Sequence, residues 1–143
     1  MHIENVIDIH APAETVWGLT VAVEDWPQIT PTITSVERLD EGPLRLGSTA
    51  RVKQPRQRST VWTVQTFTPA RGFSWATKVM TVTMTGSHEI EPTADGCRNR
   101  LGIDITGPGS AIFGRLIKGP IGTAIATENE GFKRAAESPS ATP

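Results

Sequence analysis

The chain has 143 residues, with 14 Lys and Arg against 15 Asp and Glu and a net charge of -1 at pH 7. That length suits one domain with a real core and excludes two comfortable ones. The balanced charge lacks the one-sided basic footprint of a nucleic-acid binder, and a single cysteine, Cys97, excludes both a disulfide framework and a zinc site built on cysteine pairs.

Residues 2–10 alternate, with Ile3, Asn5, Ile7 and Ile9 on one face and His2, Glu4, Asp8 and His10 on the other. The period of two predicts a half-buried strand. This opening stretch has neither a basic leader nor the apolar run of a secretory signal. With no apolar segment of about 18 residues anywhere, stable membrane insertion is not expected either, and a cytoplasmic location follows by default. Ala11-Pro12 stops the strand, since proline lacks the donor a ladder needs. A short helix is then expected over Ala13 to Leu19, with Pro12 near its first turn. Glu24 to Ile33, holding Trp26 and two prolines, reads as a second short helix or an irregular segment.

From Ser35 to residue 106 the period is two almost throughout. Ser35 to Leu39 is followed by turn residues Glu41-Gly42-Pro43, and after Gly47 the residues Ala50, Val52 and Gln54 oppose Arg51 and Lys53. That basic stretch, extended by Arg56 and Arg58, reads as a solvated face. Residues 59–67 set Trp62 and Val64 against Thr63 and Gln65. Pro69 to Gly72 has the size of a hairpin loop and leads to Phe73, Trp75, Thr77 and Val79. The next strand turns Val82, Met84, Gly86, His88 and Ile90 inward. After an Asp95-Gly96 turn, Leu101, Ile103 and Ile105 alternate with Arg100 and Asp104. Seven strands with connections too short for crossover helices imply an antiparallel meander, an α+β chain.

Gly107-Pro108-Gly109 ends the sheet, and the period then changes. Ser110 is the expected N-cap, and Phe113, Leu116, Ile117, Ile121, Ala124, Ile125, Glu128 and Phe132 recur at three- and four-residue steps. A kink or break is expected at Gly119-Pro120, because proline removes one hydrogen bond and crowds the carbonyl of Leu116. One domain over 1–137 is therefore expected, with a disordered tail over 138–143.

The run Ile9-His10-Ala11-Pro12-Ala13-Glu14-Thr15-Val16-Trp17, followed by Asp25-Trp26-Pro27 and by Leu44 to Gly47, resembles the ordered landmarks of the START-like helix-grip superfamily. Trp62-Thr63-Val64, Phe73-Ser74-Trp75 and His88-Glu89-Ile90-Glu91-Pro92 are similar to its polyketide cyclase/dehydrase-like bacterial branch. The resemblance spans roughly residues 3–136. It implies a curved sheet gripping the C-terminal helix around an internal pocket; a hydrophobic small molecule is the expected guest, and no cofactor is expected. It leaves the chemistry open, since such folds include carriers, receptors and aromatase/cyclases.

On that reading the pocket is lined by Ile7, Met84, Ile103, Leu116, Ile117 and Ile121, with Gly86 leaving space. Trp62 and Trp75 offer flat surfaces to an aromatic, lipid- or sterol-like guest, or simply fill a core. Asn5, Gln54, Thr77 and His88 are the polar inward members. His88 is a candidate acid/base, since imidazole titrates near neutrality; the alternative is a core histidine that only hydrogen-bonds. Glu128, on the helix face turned to the sheet, is a second candidate whose pKa desolvation would raise; the alternative is an edge residue reaching solvent. No metal site is expected, because His2 and His10 point outward. Binding as a carrier or sensor is the leading expectation. A cyclase/dehydrase-type enzyme and an interaction module with a filled core are the alternatives, the chain being a monomer or homodimer.

Overall fold

The computed structural model describes residues 1–138, so all but Ser138 of the expected disordered tail lies outside the described residues. Strand β1 (His2–Ile9) is followed by α1 (Ala13–Val21), a single 3-10 turn (Val23–Asp25) and the four-residue α2 (Trp26–Ile29). Then come β2 (Ser35–Arg38), β3 (Thr49–Lys53), β4 (Thr60–Thr68), β5 (Gly72–Val79), β6 (Val82–Thr93) and β7 (Gly96–Thr106), and α3 (Ser110–Glu137) completes the described chain.

The strands form one antiparallel sheet in the order β1-β7-β6-β5-β4-β3-β2. It is the expected meander, with β1 returning to pair beside β7. Alternation sends the two faces to different solvents. The outer face carries charged pairs such as Glu4 with Arg100 and Asp8 with Arg98, and His2 there lies between Asp104 and Glu4. The inner face carries Val52, Trp62, Val64, Phe73, Trp75, Ile90, Leu101 and Ile105, all buried. Covering these with α3 and with the α1–α2 segment, whose Trp26 packs on Phe73 and Trp75, removes their apolar surface from water, the main stabilising term of the fold.

Helix α3 starts one residue earlier than the Ser110 cap predicts. Gly109 occupies the cap in the left-handed region (φ 82°), and no side chain caps the helix. Only glycine adopts that conformation without steric cost, so Ser110 becomes the first helical residue. Pro120 does not break the helix, which runs unbroken through 28 residues. Farther along, Gly131 lets α3 close onto α2, because a Cβ there would run into the carbonyl of Ile29.

Three asparagines bolt α3 to the sheet. Asn99 on β7 donates to Oδ1 of Asn129 at 2.8 Å, and Nδ2 of Asn129 donates to Oδ1 of Asn5 on β1 at 2.9 Å. The same amide also reaches the Asn99 and Asn5 carbonyls, both at 3.2 Å. Asn99 and Asn129 are fully buried, so each bond replaces water that neither group can reach.

Candidate functional site

Between the inner sheet face and α3 lies a cavity of about 290 Å³. Its sheet wall is built by register. Gly86 on β6 pairs with both Trp75 on β5 and Ile103 on β7, so the missing side chain leaves room between two large neighbours. A Cβ at Gly86 would sit 3.5 Å from Ile103 and from Trp75, in ordinary contact. The helix wall is Phe113, Ile117, Ile121, Ala124, Ile125 and Glu128, one face at three- and four-residue steps.

The structure brings together Gln54, Trp62, Trp75, Met84, Gly86, His88, Ile103, Ile117, Ile121 and Glu128 around this space. Four expected members are elsewhere. Leu116 is 74% exposed, because it lies about 100° around the helix from Ile117 and so faces solvent. Asn5 is committed to Asn129, and Ile7, half-buried, packs against the core beside it rather than lining the cavity. Thr77 is buried but donates its hydroxyl to the Val61 carbonyl at 2.8 Å, its hydrogen bond spent within the sheet.

Two further lining residues escape a strand-by-strand reading. Trp26, on the short helix α2, also faces the cavity. Its ring lies 5.3 Å from Trp75 and 5.0 Å from His88, centroid to centroid. Gln57, in the loop between β3 and β4, joins Gln54 at the rim beside Ala124; an irregular loop has no period to reveal it.

His88 is 7% exposed and enclosed by rings. Phe73, its cross-strand partner, stacks on it at 5.1 Å and 12°, and Phe132 of α3 meets it edge-on at 5.8 Å. Its Nδ1 is buried and has no hydrogen-bond partner among the described residues. Burial pushes the imidazole down to about 4, since a charge among aromatic rings loses its hydration. The side chain is therefore neutral at physiological pH.

Glu128 shows the opposite displacement. By area it is only half-buried because it borders the cavity, yet the protein packed around its carboxyl excludes most bulk water. That desolvation pushes it up to about 7, against a smaller downward pull from the Thr32 hydroxyl, which donates to Oε1 at 2.9 Å. Thr32 itself is within 2.9 Å of the Thr30 hydroxyl, so a short polar chain runs from α2 to the cavity rim. Among the described residues no group of three His, Cys, Asp or Glu side chains is placed to hold a metal ion. No helix among them is long and apolar enough to cross a membrane.

Solved structures share this architecture at low identity. The di-domain aromatase/cyclase StfQ from the steffimycin biosynthetic pathway superposes with a TM-score of 0.76 at 14% identity, over 95% of this chain and 50% of StfQ. The chain thus spans half the length of that relative. The Zhui aromatase/cyclase from Streptomyces gives 0.68 at 19% identity, over 96% of each chain. A protein of Thermus thermophilus gives 0.75 at 14%, over 96% of this chain and all (100%) of its own. These likenesses establish the helix-grip fold that the Ala-Pro and tryptophan landmarks suggest. No curated protein matches the sequence. The model of one family, described as polyketide cyclase / dehydrase and lipid transport, matches residues 1–137. By that match over nearly its whole length, the chain belongs to the polyketide cyclase / dehydrase and lipid transport family.

Proposed function

We propose that this protein binds a compact apolar or aromatic molecule between its sheet and α3, as a carrier or sensor. The observation that carries this reading is the cavity itself: about 290 Å³, walled by tryptophans and aliphatic side chains with a few polar groups at His88, Glu128, Gln54 and Gln57. That composition is the usual one for a small-molecule site. Its volume, at the low end for such sites, favours a small ring system over a long acyl chain. An open interior also counts against an interaction module with a filled core.

The test uses Gly86. An added methyl fits in ordinary contact with Trp75 and Ile103, whereas a leucine must push its branch into the cavity. Gly86→Leu should abolish the tryptophan fluorescence response to a titrated apolar aromatic dye, while Gly86→Ala only weakens it. Both variants should keep the wild-type circular dichroism spectrum. If Gly86→Leu responds like wild type, the guest does not enter here and the reading fails.

One observation favours a second reading, a cyclase/dehydrase-type enzyme. A carboxyl poised at about 7 beside the cavity is matched to proton transfer at neutral pH, so Glu128 is the better acid/base and neutral His88 a hydrogen-bonding or weakly basic partner. The aromatase/cyclase names of StfQ and Zhui agree with this. Turnover of a ketone substrate lost in Glu128→Gln, with pH dependence centred near 7, would establish it. Binding without turnover across a polyketide panel would leave the carrier or sensor.

A further inference from the structure

We infer that the cavity selects an aromatic ligand bearing a protonated amine, its ammonium paired with the Glu128 carboxylate and its rings among the tryptophans. This deepens the binding reading above and rests on it.

The lining decides the sign of the guest. Among the described residues it contains no lysine or arginine, so a carboxylate or phosphate guest would meet Glu128 with no cation to offset the repulsion. Among the described residues Glu128 makes one hydrogen bond, from Thr32 to Oε1, and no ion pair, so its second carboxylate oxygen has no partner among them. A carboxylate so placed is costly when ionised and alone, and an entering cation offsets that cost. Tryptophan faces add to the attraction, since the ring quadrupole is negative over the face. Trp26, Trp62 and Trp75 all border the cavity.

The facing groups do not oppose this. From β6 only His88 titrates in the lining, and burial keeps it neutral, so it does not repel an ammonium. The segment from Thr30 to Thr34 carries no charge. Arg56 and Arg58, on the rim loop beside Gln57, are exposed and neither pairs with Glu128. A neutral alcohol of the same shape gains a hydrogen bond at most and leaves the charge uncompensated.

Isothermal titration calorimetry with 2-naphthylmethylamine, 2-naphthalenemethanol and 2-naphthoic acid tests this, the three differing only at the polar end. At about pH 8, where alkylamines are protonated and Glu128 ionised, the amine should bind about tenfold more tightly than the alcohol, and the acid least. Lowering the pH to about 5.5 should erase the amine preference as Glu128 protonates. Glu128→Gln should bring the amine-to-alcohol ratio at the higher pH close to one. An amine no tighter than the alcohol, or a preference that survives either change, overturns the inference and leaves the cavity-binding reading standing. Failure of all three probes to bind overturns both.

Discussion

His88 is held against its own stability. Its ring fits between Phe73 and Trp26, but its Nδ1 is buried with no partner among the described residues, and an unmet buried polar atom costs about 1–3 kcal/mol. Phenylalanine keeps a flat ring in the same stack without that atom. His88→Phe should therefore stabilise the ligand-free protein by about 1 kcal/mol, read as a raised midpoint in thermal unfolding, with weaker binding of any guest that hydrogen-bonds the imidazole. A loss of stability of similar size would mean that packing, and not the unmet nitrogen, governs the site. Histidine's inward direction was legible, because strand alternation placed it. Its stacking and its missing partner were not, because they depend on which strand pairs beside it.

At the scale of elements, α3 is both lid and anchor, and separate residues do the two jobs. One face of the helix between Phe113 and Glu128 walls the cavity, while Asn129 fixes the helix to β1 and β7. Asn129→Leu should cost about 2–4 kcal/mol, because it strips their partner from buried Asn99 and half-buried Asn5 as well as losing its own bonds. Chemical denaturation would measure this, and a cost under about 0.5 kcal/mol would show the bolt to be dispensable. The elements themselves were legible wherever one period ran long enough: seven strands by twos and one helix by threes and fours. Reading went astray where neighbouring residues compete for a face. Leu116 and Ile117 are adjacent and equally apolar, and only the helix's angular phase sends one outward and the other into the cavity. Asn129 left a signal that apolar counting passes over: it lies four residues after Ile125 and three before Phe132, hence on their buried face. A polar residue at an inward helical position needs a partner, and Asn5 on the inward face of the first strand was the other half of that pair. Read as lining the pocket, Asn5 was correctly turned inward but matched to the wrong neighbour.

Across the whole molecule, His88 and Glu128 give the stability two opposing pH dependences, both caused by burial around one cavity. His88 falls to about 4 in the folded state from an ordinary 6.5. The unfolded chain then binds more protons between those values, and its contribution to stability rises with pH from about 4 to 6.5. Glu128 climbs from 4.5 to about 7, so the folded state holds the extra proton. That contribution is fully present below 4.5 and lost as pH rises through about 7. Each spans at most roughly 3 kcal/mol. Between about 4.5 and 6.5 the two nearly cancel in the intact protein, and single variants separate them. The advantage of Glu128→Gln over wild type should grow from pH 4.5 to 7 and then level, because glutamine has no proton to lose. The advantage of His88→Phe should be largest near pH 4 and shrink to a constant above 6.5, because phenylalanine has none to gain. Urea midpoints at intervals across this range would record both curves. Subtracting wild type removes the exposed groups common to all three proteins, including His2, whose hydrogen bond to Asp104 raises it. A flat difference for Glu128→Gln would mean that its carboxyl stays solvated, and with it would fall the charge argument for an amine guest. A flat difference for His88→Phe would mean instead that water reaches the imidazole through the cavity, leaving the ring stack as its only tie to the core.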